Sequence, residues 1–272
     1  MTDELPIVLL HGSATGSYSW AAVRTGLEAH GAMVVVPDML GYGRSPTPSE
    51  AWQPKDEVAH LRGWLDMQGV GVFHLVTHSL GAFFGLHLRL AVGSRVARLT
   101  LIDPVVVSVL RAPEEEDALR EMQTLYDRFM RALPDHGAAA CLLVEHWSGA
   151  GAWNALGEKG RALVARLAPR LRLELTASEA DRTTLAELTS TAVPTSVLVG
   201  ERTLAAPRSV SRLLAGAFDA RTVVVPGAAH MIPLTHPAAI VSYDSPASLF
   251  GSFGVPEAAE IGAKLEGNCR TS

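Results

Sequence analysis

Six short apolar runs recur along the chain: IVLL (7–10), MVVV (33–36), VFHLV (72–76), LTLI (99–102), SVLV (196–199) and TVVV (222–225). They are rich in β-branched residues and nearly continuous rather than alternating, the pattern of strands covered on both faces. Helical patterns separate them, at about 18–29, 54–68, 80–92 and 207–216. This rhythm predicts an α/β fold, a doubly wound and mostly parallel sheet of about six strands that begins with residues 6–10. Right-handed crossovers then bring the C-terminal ends of the strands, with their loops, to one edge. Chemistry is expected along that edge.

The rhythm breaks once. Between Pro104 and about Thr191 no convincing strand appears, and helical patterns follow one another from PEEEDALREMQTLYDRFMRAL (113–133) onward. There, Glu114, Glu115 and Glu116 behind Pro113 give the negative charge that a helix N-terminus favours. Because the sheet resumes afterwards, this stretch is expected to be a helical cap rather than a separate domain. The reading is therefore a core over 1–103 and 192–250, a cap over 104–191 and a C-terminal tail over 251–272.

A net charge of −5 argues against nucleic acid or an anionic membrane as partner. The start, MTDELPIVLLHG, lacks the basic region and apolar length of a signal peptide, and no segment approaches a membrane span. Cys141 and Cys269 show no ligand spacing, and no HExxH pattern occurs, so no metal is implied. GYGRS and GAGAWNALG lack the strand-to-helix setting of phosphate loops, and no cofactor is implied either. The expectation is a cytoplasmic protein with a small-molecule substrate; its oligomeric state is not legible.

The chemistry-bearing stretch is VTHSLGA (76–82), where an apolar strand runs into a helix. Ser79 between them matches a nucleophile elbow, a strained turn that lifts a serine hydroxyl above the sheet edge. Gly81 supplies the small residue needed two positions later; Thr77 stands where glycine is usual. From the residues alone Ser79 is a nucleophile, an idle loop hydroxyl or the remnant of a lost site.

Four more segments fall at strand ends: VLLHGSATGSYSW, VVVPDMLGYGRS, VLVGERT and VVVPGAAHMIPLTHP. With this ordered set the chain resembles an α/β-hydrolase-fold protein with a helical cap. The resemblance implies Ser79 as nucleophile and His230 as general base, in the chain order Ser…acid…His. It also implies the Ser13 and Leu80 N–H groups as an oxyanion hole, behind His11-Gly12. Such donors are worth roughly 3 kcal/mol each when aimed at the developing charge. His11 and His78 are expected to orient the site.

The acid departs from the family pattern. Gly200 is followed by Glu201, Arg202 and Thr203, and Thr203 stands where an aspartate is common. Asp103, at the end of LTLID one strand earlier, is the leading candidate, with Pro104 expected to keep it extended. Glu201, or no acid at all, are the alternatives. Gly12, Trp147 and Trp153 are candidate substrate-binding residues, the tryptophans as walls of an apolar pocket or as cap packing.

The resemblance implies hydrolysis of a small to medium, partly apolar ester, thioester or lactone through an acyl-enzyme. Two other classes stay open: cofactor-independent lyase, cyclase or oxygenase chemistry with His230 as base, and a non-catalytic ligand-binding relative.

Overall fold

The computed structural model describes residues 5–244; the tail over 251–272 lies outside the described residues. The strands are β1 (Ile7–Leu10), β2 (Val34–Val35), β3 (Phe73–His78), β4 (Val96–Ile102), β5 (Thr195–Gly200) and β6 (Arg221–Val225). They form one sheet in the order β2-β1-β3-β4-β5-β6, and every pairing is parallel.

The near-continuous apolar runs follow from two covered faces. In β1, Val8 and Leu10 enter the larger core cluster while Ile7 and Leu9 enter the other. In β3, Phe73 and Leu75 likewise oppose Val76. Each side chain points to the face opposite its neighbours, and both faces are dry.

The helices before the insertion are α1 (Ala21–Ala29), α2 (Pro54–Met67) and α3 (Gly81–Val92). α2 starts at a proline, and the Gln53 N–H donates to the Asp56 carboxylate at 2.8 Å, a cap legible in QPKD. Between β4 and β5 the described chain carries helices and no strand: α4 (Glu116–Ala132), α5 (His136–Ser148), α6 (Ala152–Ala155), α7 (Gly157–Arg166), α8 (Ala168–Ala180) and α9 (Leu185–Leu188). The Asp135 carboxylate caps α5 by accepting the Ala138 N–H at 3.0 Å. α10 (Ala205–Phe218), α11 (Ile232–Thr235) and α12 (Pro237–Asp244) complete the described chain.

The sheet order turns outward from β1 to β2 and back to β3, so the switch point lies between the ends of β1 and β3. That crevice is where open α/β sheets place ligands.

Candidate active site

Ser79 follows β3 directly and has φ 56°, a positive value that costs a residue with a Cβ on the order of 1–3 kcal/mol. The surroundings enforce the turn. A Cβ on Gly81 would lie 2.4 Å from the His11 carbonyl oxygen, so α3 starts hard against the loop after β1. Thr77, fully buried, keeps its bulk because the relief comes from elsewhere. A Cβ on Gly85 would sit 2.5 Å from Thr77 Cγ2, so the space lies about one helical turn into α3.

The Ser79 hydroxyl lies 2.8 Å from His230 Nε2, and His230 Nδ1 lies 2.7 Å from Asp103 Oδ2. All three residues are buried. A carboxylate only accepts, so His230 carries its proton on Nδ1 and Nε2 faces the serine as acceptor. Strand register levels the first two groups: His78 pairs with Ile102, and the Ser79 N–H donates to the Ile102 carbonyl at 3.1 Å. His230 arrives from the loop between β6 and α11. That loop passes close over Gly200, where a Cβ would meet the Ala228 carbonyl oxygen at 2.7 Å.

Asp103 is not extended as Pro104 led us to expect; its φ is 45°. The proline restricts its predecessor against the right-handed helical region, and aspartate tolerates a positive φ better than most residues with a Cβ. The turn aims the carboxylate along the sheet edge. There Oδ1 accepts the Gly200 N–H at 3.0 Å, and Oδ2 accepts the Thr203 hydroxyl as well as His230. Thr203 thus stands where an aspartate was expected and donates to Asp103, which lies one strand away. Glu201 is exposed and accepts the Gly227 N–H at 2.7 Å, away from the imidazole.

Gly12 packs against the serine, since a Cβ there would be 2.8 Å from that of Ser79. Its carbonyl is held from two sides, by His11 Nδ1 at 2.8 Å and by the Thr15 hydroxyl at 2.8 Å. His11 Nε2 in turn accepts the Met39 N–H at 3.1 Å, and burial pushes this imidazole down to about 4, so it stays neutral. In a planar trans peptide the next N–H points opposite that carbonyl, which sends the Ser13 N–H away from the held side. Neither the Ser13 nor the Leu80 N–H has a backbone acceptor among the described residues. His78 is pushed down to about 3, chiefly by burial and further by nearby His230, and its Nε2–H donates to the His230 carbonyl at 2.9 Å. It is a neutral strut under the loop that carries His230.

Above these groups lies a cavity of about 30 Å³ that Ser79 and His230 share with Ser13 and Leu80. Tyr126 from α4, Leu143 and Trp147 from α5 and Leu175 from α8 close it. Trp147 stacks on the His230 ring, centroids 4.2 Å apart and planes 29° from parallel. Trp153 is not among the lining residues, and its backbone N–H donates to Glu145. A larger groove of about 650 Å³ lies between α4 and α5, lined by Asp117, Arg120, Glu121 and Arg128 among others, and none of Ser79, His230 and Asp103 reaches it.

One group at this site carries no sequence motif. Glu174 of α8 is fully buried and accepts hydrogen bonds from Ser13 Oγ at 2.6 Å and Tyr42 Oη at 3.0 Å. Burial raises its carboxyl and neighbouring Arg170 opposes that shift. The available signal was its place on the stripe Leu171, Glu174, Leu175, Ser178, which is otherwise apolar or small.

Among the described residues no cluster of three or more His, Cys, Asp or Glu side chains is arranged to hold a metal ion. No described helix is long and apolar enough to cross a membrane.

A family model described as the alpha/beta hydrolase family matches residues 7–243. A haloalkane dehalogenase of Agrobacterium fabrum is 32% identical over 104 residues, 38% of this chain and 34% of that protein. A 2-hydroxy-6-oxo-2,4-heptadienoate hydrolase of Pseudomonas putida is 38% identical over 112 residues, 38% of each chain. The chain thus spans little more than a third of the length of these relatives. Among solved structures, a thermophilic esterase from Thermogutta terrifontis superposes with a TM-score of 0.71 at 23% identity, covering 88% of this chain and 87% of that one. An enol-lactonase from Burkholderia xenovorans does so with a TM-score of 0.68 at 22% identity, covering 88% and 89%. At those identities the likeness is one of fold.

Proposed function

The chain belongs to the alpha/beta hydrolase family, and from that premise we propose that it is a serine hydrolase of a small to medium, partly apolar ester, thioester or lactone. The observation that carries this reading is the unbroken line Ser79 Oγ, His230 Nε2, His230 Nδ1, Asp103 Oδ2, with both contacts below 3 Å. Ser79 attacks the carbonyl carbon while His230 takes its proton on Nε2, and Asp103 accepts from Nδ1 and balances the imidazolium. The Ser13 and Leu80 N–H groups receive the carbonyl oxygen as it becomes anionic. Collapse expels the alcohol or thiol, which leaves with the His230 proton. Water, deprotonated by the same nitrogen, then releases the acid.

The nucleophile separates this reading from the activity named for the dehalogenase relative. A serine oxygen displacing halide from a saturated carbon would leave a dialkyl ether, which water does not cleave, and the enzyme would stop after one turnover. A serine attacking a carbonyl leaves an ester that water does cleave. The lining argues about the substrate: Ala14, Val105, Leu143, Trp147, Leu175 and Met231 are apolar, and among the described residues no lysine or arginine lines the cavity. A heptadienoate, as named for the second relative, would bring a carboxylate that finds no cation there.

A fluorophosphonate probe tests the reading. Rapid adduct formation on Ser79, mapped by peptide mass, is the expected result. An unlabelled intact protein would return the choice to base catalysis by His230 or to ligand binding. Nitrophenyl esters, acyl thioesters and lactones of increasing acyl length then define the substrate class.

A further inference from the structure

We infer that Glu174 is a positioning residue: from the cap it holds the oxyanion loop, so the anion-binding amide is set only while the cap is seated. This rests on the serine hydrolase reading above. The Gly12–Ser13 peptide needs two anchors to fix its plane. The core supplies one, through His11 and Thr15 on the Gly12 carbonyl. The cap supplies the other, through Glu174 on Ser13 Oγ at 2.6 Å. The same carboxylate oxygen also accepts from Tyr42 Oη, and Tyr42 Oη accepts the Ala14 N–H at 3.2 Å. Two consecutive residues of the loop are therefore tied, one directly and one through a phenol, to a single atom of α8.

A carboxylate beside a developing anion would oppose it by like charge unless compensated. Arg170, one turn back on α8, lies 3.1 Å from Glu174 Oε1 and gives its other face to Glu57 of α2 at 2.6 Å. Its guanidinium also sits 4.2 Å above the Trp52 ring. Glu174 is thus charge-balanced, and the cation that balances it is itself tied to the core. The cavity over Ser79, at about 30 Å³, admits little more than water, against the several hundred Å³ of typical ligand sites. An ester enters only if the cap yields, and in yielding the cap releases the Ser13 anchor. Reclosure over the substrate restores it, which couples the anion-binding amide to a shielded site.

The test uses the full chain with Glu174→Leu, Glu174→Gln, Ser13→Ala and the double variant Ser13→Ala/Glu174→Leu. Three quantities are read: kcat and KM on a nitrophenyl ester the wild type turns over, affinity for a boronic acid that forms a tetrahedral adduct on Ser79, and amide hydrogen exchange at residues 12–15. Glu174→Leu is expected to lower kcat about 10- to 100-fold, with KM changed little, because the donor is misplaced rather than removed. Boronate affinity should fall by a similar factor and exchange at residues 12–15 should accelerate. Glu174→Gln keeps an acceptor for both hydroxyls and should stay within a few-fold of wild type. Ser13→Ala, which keeps its own amide and removes only the anchoring hydroxyl, should reproduce the defect, and the double variant should be no worse than the worse single one. Additive losses, or a rise in KM with unchanged boronate affinity, overturn the inference. Should Glu174→Leu fail to fold, Ser13→Ala decides by the same readouts. If the wild type shows neither turnover nor probe labelling, the hydrolase reading fails by itself. Exchange then decides the link between cap and loop: acceleration in Glu174→Leu supports it, and unchanged exchange overturns it.

Discussion

The two sides of the site are built by different means. On the core side, Ser79 and Asp103 are extensions of paired strands, and His230 hangs from a loop that crosses Gly200. Backbone hydrogen bonds fix them, including the Asp103 N–H to the Leu198 carbonyl at 2.8 Å. On the other side, the helices between β4 and β5 that we propose as the cap, Trp147 and Glu174 reach the site only as side chains, one against a ring face and one against a hydroxyl. Backbone register tolerates substitution at a neighbouring strand, whereas a side-chain reach is lost with one residue. The core side should therefore decide whether chemistry occurs, and the cap side how well it is aimed.

The largest effect expected is from Ser79→Ala, which should lower turnover on the order of 10⁴–10⁶-fold and abolish probe labelling. Its denaturant midpoint should stay within error, because no core volume is lost; activity within a few-fold of wild type would remove Ser79 as nucleophile. Next comes Asp103→Asn, with an expected loss on the order of 10²–10⁴ as the imidazole takes the wrong tautomer. Thr203→Asp should recover part of that loss. In the wild-type background the same change should harm activity, since it replaces a hydroxyl that donates to Asp103 with a second carboxylate. If Glu201→Gln instead matched Asp103→Asn in steady-state kinetics, the core side would have been misassigned.

Trp147→Ala tests the other side. Loss of the ring stacked on the base should lower kcat/KM roughly 3- to 30-fold, the range expected if stacking stabilises the imidazolium. A loss as large as that of Asp103→Asn would erase the distinction between the two sides. The smallest effects concern stability. Gly85→Ala should cost about 1–3 kcal/mol by crowding Thr77, and Thr77→Gly should relieve part of that cost, as measured by urea unfolding.

The pair that ties α8 to α2 has a sign that can be checked. Burial raises the Glu57 carboxyl from 4.5 to about 7, against the opposing pull of Arg170. A group raised on folding gives stability that is fully present below its unfolded value and is lost as pH rises through its folded one. The Glu57 contribution should therefore fall between about pH 4.5 and 7, read as the difference in urea midpoint between wild type and Glu57→Gln across that window, because buried His11 and His78 act with the opposite sign. An unchanged slope in that variant would mean another group sets it.

The core side was largely legible because its signals are local. The elbow at Ser79, the strand-end Asp103 and the loop histidine each sit beside an apolar run with strand length. The direction of Asp103 was not legible, since a proline limits its neighbour without choosing among the remaining backbone states. On the cap side only Trp147 was marked out, and Trp153 was marked with it on the same grounds, because tryptophans six residues apart look alike without the packing. Glu174 is the instructive omission. Its partner Ser13 lies 161 residues away, and a place on the α8 stripe does not by itself separate a glutamate with a buried partner from one that turns to solvent.

The contact between Thr203 and Asp103 also bears on descent. The two strand ends that can carry the acid are within hydrogen-bond reach of each other, and Asp103 also contacts the imidazole. A lineage could then shift its acid between β4 and β5 through an ancestor carrying carboxylates at both places, sharing a proton, before either was lost. Each change would fall at a position already bonded to the site, and no step would pass through a chain that lacks an acid.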